Sequence, residues 1–250
     1  MKAAFLFYLG LFPKALTLFL QNNPVKILFA FFIFFVVPLL PNIIPILGNI
    51  VSLILQAIVI MGIWAFLIRI VDGKEAPLSL LFDYAKHWLP ATLAQLVAVL
   101  ATFFAVGIVL VLIAAMGAGL GEGGIWLAML FSPLVVVAIM LFFFWPAFAV
   151  DKERKPFDAL GDSASMVVKN IPALLALLVV GFGVSLVTLL LVAIFGQVSH
   201  ILATIFSFVW SLMVGPTVLL MVAMIYRHLN PPLATASTAD CCQVNDLNEE

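Results

Sequence analysis

Six long apolar runs divide this chain, and all 11 of its Lys and Arg residues lie on one side of the zigzag those runs would trace through a bilayer. The runs are Val25 to Leu40, Ile50 to Ile70, Ala91 to Met116, Ile125 to Val150, Pro172 to Phe195 and Val198 to Tyr226. Lys2, Lys14, Lys26, Arg69, Lys74, Lys86, Lys152, Arg154, Lys155, Lys169 and Arg227 fall near the termini or near alternate connections. The three loops between, Pro41 to Asn49, Gly117 to Gly124 and Gly196 to Ser199, carry none. Cations flanking short loops are held back on the cytoplasmic side during insertion, so both termini are predicted to be cytoplasmic.

Only 9% of the residues are charged and the mean hydropathy is +1.30, against roughly 25% charged residues in a soluble domain. An all-α integral membrane protein is expected, because the Leu, Val, Ile and Phe runs lack the period-2 alternation of a barrel strand. About 20 residues are needed to cross a ~30 Å hydrocarbon core, so six transmembrane helices fill residues 1–230 as a single polytopic domain. The first run is short for this task, and Pro38, Pro41 and Pro45 follow it. The polar, acidic residues 231–250 lack an apolar stripe and read as a disordered cytoplasmic tail. The opening MKAAFLFYLGLF resembles a signal peptide, but Pro13 and Lys14 interrupt it, and retention is expected. A net charge of −1, with acids interspersed among the cations, argues against a nucleic-acid partner.

An internal repeat organises the domain. VDGKEAPLSLL, Val71 to Leu81, and VDKERKPFDAL, Val150 to Leu160, each follow an apolar run and lead into a short amphipathic stretch. Leu78, Leu81, Phe82, Ala85 and Trp88 would share one face in the first copy, and Phe157, Leu160, Ala164 and Val167 in the second. Pro77 and Pro156 suit a first helical turn, where the missing N–H has no partner to lose, and Asp72 and Asp151 read as caps of the turns. A weaker third copy runs from Pro13-Lys14-Ala15-Leu16 to Asn22-Asn23-Pro24. The predicted fold is therefore three same-orientation hairpins, approximately 1–70, 71–149 and 150–230, each preceded by a cytoplasmic interfacial amphipathic helix.

The stretch VDKERKPFDALGDSASMVVKNIPALLALL resembles the uncharacterised YciC-type family of bacterial inner-membrane proteins. A related membrane domain is attached to some glycerophosphoryl diester phosphodiesterases. The residues carrying the likeness are Asp151, Pro156, Ala159, Leu160, Ser163, Lys169 and Asn170. The resemblance implies a six-helix protein of the bacterial inner (plasma) membrane and supplies no catalytic residues.

Candidate chemistry is sparse. Lys152, Arg154, Lys155 and Lys169 could attract anionic lipid headgroups, at about 1 kcal/mol per charge near a membrane surface, although Asp151, Glu153, Asp158 and Asp162 offset much of that. Gln56 and Gln95 are the most polar side chains within the runs, suited to bonding between helices or, alternatively, to lining a solute path. Pro133, Pro146 and Pro216 should kink their helices, and Trp64, Trp145, Phe142 to Phe144 and Trp88 are expected to anchor at headgroup depth. Cys241 and Cys242 are too few for a zinc site, GAGLGEGG around Glu122 lacks the context of a phosphate loop, and no serine has a recognisable base. No enzyme activity and no cofactor are expected. The leading reading is a lipid-interacting or scaffold role at the cytoplasmic leaflet, with membrane lipids and a membrane or cytoplasmic protein as partners. A permease or exporter of an apolar or amphipathic solute is the alternative.

Overall fold

Helices dominate the computed structural model, which describes residues 2–43, 47–117 and 139–231. Four stretches among these are long and apolar enough to cross a membrane: Leu47–Val71, Leu78–Ile108, Leu175–Phe195 and Val209–Leu229. The protein is accordingly a multi-pass membrane protein in composition and helix length. A bent pair, Leu6–Gln21 with Pro24–Val36, meets at 101° and would add a fifth span if counted as one.

In chain order the α-helices are α1 (Lys2–Leu9), α2 (Leu11–Gln21), α3 (Pro24–Val36), α4 (Leu47–Val71), α5 (Trp88–Gly117), α6 (Trp145–Asp151), α7 (Pro156–Lys169), α8 (Ile171–Val198) and α9 (His200–Leu229). The predicted second, third, fifth and sixth crossings correspond to α4, α5, α8 and α9. The first corresponds to α3, whose 13 residues reach only about 20 Å at 1.5 Å per residue. Most of the predicted fourth, together with Pro133 and the Glu122 loop, lies outside the described residues, as does the tail with Cys241 and Cys242.

Burial sorts these helices into inner and outer members. In its most apolar window α4 is 56% buried and the α9 span 44%, whereas the α8 span is 6% buried. Phe182, Leu189 and Ile194 on α8, Phe103 and Ile108 on α5, and Phe32 and Phe35 on α3 all point outward. Such a surface is stable only against lipid, since apolar area this extensive would aggregate in water.

Three short elements, read from the sequence as interfacial, each pack mainly on one inner helix: α2 on α9, the 3-10 turn Leu78–Leu81 on α4, and α7 on α6. Helix α2 buries Leu11, Ala15 and Phe19, spaced by four, and α7 buries Ala159, Leu160, Ser163, Met166 and Val167. The α7 stripe is thus rotated from the predicted one, with Phe157 about half exposed, because Ser163 is drawn inward by the backbone of Leu141 and Phe144. The junctions after α2 and α7 are alike. Asn22 and Asn170 each donate their side-chain amide to the carbonyl four residues earlier, Leu18 at 3.1 Å and Met166 at 2.8 Å, and a proline follows two residues later in both cases. This closes each interfacial helix and lets the chain turn into the next one.

The second interfacial element departs from expectation. Residues Leu78–Leu81 and Asp83–His87 form two 3-10 turns, not one amphipathic α-helix. Gly73, at φ +69°, turns the chain back along α4, and the adjacent Leu80 and Leu81 are both buried. A Cβ at Gly62 would overlap the Leu81 backbone, so the close approach of two backbones replaces the side-chain stripe. Phe82 and Trp88, assigned to that stripe, are about half exposed.

Candidate functional site

Inner helices α4, α6 and α9 end together, and their ends carry a charge cluster. Arg227, in the last turn of α9, forks onto Asp72 with Nε to Oδ1 at 2.7 Å and Nη2 to Oδ2 at 2.5 Å, and extends Nη1 to Asp151 Oδ1 at 2.6 Å. The Tyr226 hydroxyl donates to the remaining Asp151 oxygen at 3.1 Å. The Arg227 side chain is 12% exposed and both aspartates 13%. Three helix C-termini, each with partial negative charge, meet two carboxylates here, and that arrangement demands a cation. A planar guanidinium meets it because one fork can serve two carboxylates at once. Asp72 and Asp151 therefore join the exits to one another, where the sequence suggested local caps.

An aromatic layer underlies the cluster. Trp64 lies 5.8 Å from both Phe143 and Phe144 and 6.1 Å from Tyr226, and Phe148 meets Tyr226 edge-on at 5.2 Å. Trp64, Phe144 and Trp145 are buried, so these rings form core packing and not the headgroup anchors expected of them. Of that set, Trp88 has the exposure an anchor needs.

The fourth run breaks just before α6, in a turn over 141–144, and Pro146 sits at the start of the helix that follows. Ser163 of α7 repairs the break. Its hydroxyl donates to the Leu141 carbonyl at 2.8 Å and accepts from the Phe144 N–H at 3.2 Å. Backbone groups freed in an apolar surrounding require such partners. At Pro216, inside α9, the neighbouring Thr217 donates to the Met213 carbonyl at 2.7 Å.

Beside the charge cluster lies a cleft of about 660 Å³. Asp83, Tyr84, Lys86, His87 and Pro90 line one wall, Ala149, Val150 and Glu153 to Phe157 the other, and Met61 contributes from α4. Each wall thus carries both signs of charge, Lys86 with Asp83 on one and Arg154 and Lys155 with Glu153 on the other, above apolar residues. Arg154 also pairs with Asp162 at 3.6 Å, both groups well exposed. Glu153 adopts a left-handed backbone, φ 48°, which costs a non-glycine residue about 1 kcal/mol and is held by the turn that presents Arg154 and Lys155.

The four predicted headgroup cations do not act as a set. Arg154 and Lys155 reach the cleft, where they meet Lys86 and His87, which sequence reasoning left unassigned. Lys152 instead donates to Asn230 at 3.1 Å and lies 4.9 Å from the centre of the Phe148 ring. Lys169 is exposed at the end of α7, away from the cleft. Gln56 and Gln95 are separated too: Gln56 is exposed on α4, whereas Gln95 is buried on α5. Bonding between membrane helices falls to a different pair, the Trp210 indole N–H of α9 and the Thr188 hydroxyl of α8, at 2.7 Å.

No protein-family profile, curated protein or solved structure matches the chain. Among the described residues no group of three His, Cys, Asp or Glu could hold a metal ion.

Proposed function

We propose that this protein is a non-enzymatic, lipid-interacting protein of the bacterial inner membrane, and that its collar holds phospholipid headgroups at the cytoplasmic leaflet. The observation that carries this reading is the cleft where Lys86, Arg154 and Lys155 converge over Met61, Pro90, Val150 and Phe157. A phosphate suits the cations, an ammonium or hydroxyl on the same headgroup suits Asp83 and Glu153, and the apolar floor suits the start of an acyl chain.

The six crossings form three hairpins of like orientation with both termini cytoplasmic. Two features support this arrangement. Cationic residues cluster at the end where α4, α6 and α9 meet, as retention during insertion requires. The interfacial elements also pack cyclically, each on the inner helix that precedes it around the ring: the 78–81 turn on α4, α7 on α6, and α2 on α9. The resemblance to the YciC-type family, carried by Asp151, Pro156, Ala159, Leu160, Ser163, Lys169 and Asn170, agrees with such an architecture. A scaffold role, with a membrane or cytoplasmic protein docked on the same collar, uses the same surface.

The permease alternative finds less support, because Gln56 and Gln95 do not share a path. Native mass spectrometry of the protein in phospholipid nanodiscs or mild detergent tests the headgroup site. Wild type should retain one or more phospholipids, and the Lys86→Ala/Arg154→Ala/Lys155→Ala variant should lose most of that population while keeping its melting temperature. Equal retention by both proteins would refute the assignment.

A further inference from the structure

A second cleft lies between α4, α5 and the segment leading to α6. It measures about 430 Å³ and is lined by Ile60 of α4, by Gln95, Ala98, Val99, Thr102, Phe103 and Val106 of α5, and by residues from Ile139 to Trp145. Among the described residues, none that lines it is charged. Gln95 is 8% exposed and its side-chain carbonyl oxygen has no hydrogen-bond partner. An unpaired acceptor buried in an apolar setting carries its full desolvation penalty, so the site is incomplete without a donor.

We infer that this cleft binds an uncharged lipid bearing a free hydroxyl, such as a mono- or diacylglycerol or a long-chain alcohol, with that hydroxyl donating to Gln95. Three considerations select this chemistry. A phosphate or carboxylate would leave water for a wall with no cation, a loss too large to sustain. Gln95 lies seven residues along α5 from Trp88, about 10 Å deeper at 1.5 Å per residue, below the level that a charged headgroup occupies. Finally, the described lining offers three polar side chains, Gln95, Thr102 and the Trp145 indole, on walls that are otherwise apolar, and a hydrocarbon chain fills such walls where water alone would leave them wetted. A submerged hydroxyl with a hydrocarbon chain satisfies both the acceptor and the apolar walls. The mouth, at Val99, Phe103 and Ile139, is exposed, so the ligand can arrive from the bilayer.

The test is photo-crosslinking of the full-length protein in nanodiscs with a diacylglycerol carrying a diazirine in one acyl chain, against the same probe with its hydroxyl methylated. The free-hydroxyl probe should label the peptides around 95–106 and 139–145 at least fivefold more than the capped probe. Gln95→Leu, which removes the orphan acceptor, should reduce labelling to the capped level without lowering the melting temperature, and Val99→Trp should block the mouth to the same effect. The Lys86→Ala/Arg154→Ala/Lys155→Ala variant should label as wild type, which separates this site from the headgroup cleft. Equal labelling by the two probes on wild type, as annular contact or a bound water would give, overturns the proposal. So does labelling that follows the three cations in place of Gln95.

Discussion

Ser163 and Arg227 show how single polar atoms decide local structure in an apolar chain. Ser163 serves the Leu141 carbonyl and the Phe144 N–H together, so Ser163→Ala strands both backbone groups. We expect a loss of about 1–3 kcal/mol, read as a lower melting temperature in detergent, whereas Ser165→Ala on the exposed face of the same helix should change little. Arg227→Leu leaves two aspartates facing three helix ends without their cation and should cost about 3–5 kcal/mol. Arg227→Lys should recover only part of this, because an ammonium cannot fork across Asp72 and Asp151. Adding Asp72→Asn and Asp151→Asn to Arg227→Leu should restore a good share of the lost stability. A triple variant no more stable than Arg227→Leu alone would show that the cluster matters for packing and not for charge.

Elements are set by what they pack on as much as by their own pattern. The 78–87 segment has helical periodicity in sequence, yet it forms 3-10 turns because Gly62 admits its backbone to the surface of α4. Gly62→Ala should therefore displace the whole turn, at a cost of about 1–3 kcal/mol from overpacking, and should raise hydrogen exchange at residues 78–87 more than at α7. Exchange rising equally at α7 would contradict a local origin. Helix α7 kept its predicted period but not its predicted face, since the deciding contact is a serine that an apolar stripe cannot include. Asn22 belongs to the weaker third repeat copy and Asn170 to the stretch that carries the family likeness, and the structure adds their common mechanism, a side-chain amide donated to the carbonyl four residues earlier.

At the scale of the molecule, topology is the property most open to direct test. In a Cys241→Ser/Cys242→Ser background, single cysteines at Lys14, Lys74 and Lys155 should react with an impermeant thiol reagent only from the cytoplasmic side, and a cysteine at Ser199 only from the other. Ser199 separates α8 from α9 and lies in a connection without cations. Labelling of Ser199→Cys and Lys155→Cys from the same side would break the hairpin scheme, and the headgroup cleft would lose its leaflet. The cyclic packing also implies that the α1–α2 unit stabilises α9, which lies far from it in sequence, so removal of residues 1–21 should loosen α9 before α4.

The sequence by itself determined the apolar setting and the long helices, because hydropathy and the distribution of cations are additive over short windows and need no partner to be evaluated. Helices α4, α5, α8 and α9 follow from that sum nearly residue by residue. It also exposed Asp72 and Asp151 as equivalent positions and supplied Arg154 and Lys155 as candidate contacts. Only the tertiary structure decided that Arg227 joins those aspartates, that Lys86 and His87 complete the cleft while Lys152 turns to Asn230, and that Gln95 is left with an unpaired acceptor. Each of these depends on which helices meet, and in a uniformly apolar chain many pairings look alike until a few polar atoms choose among them.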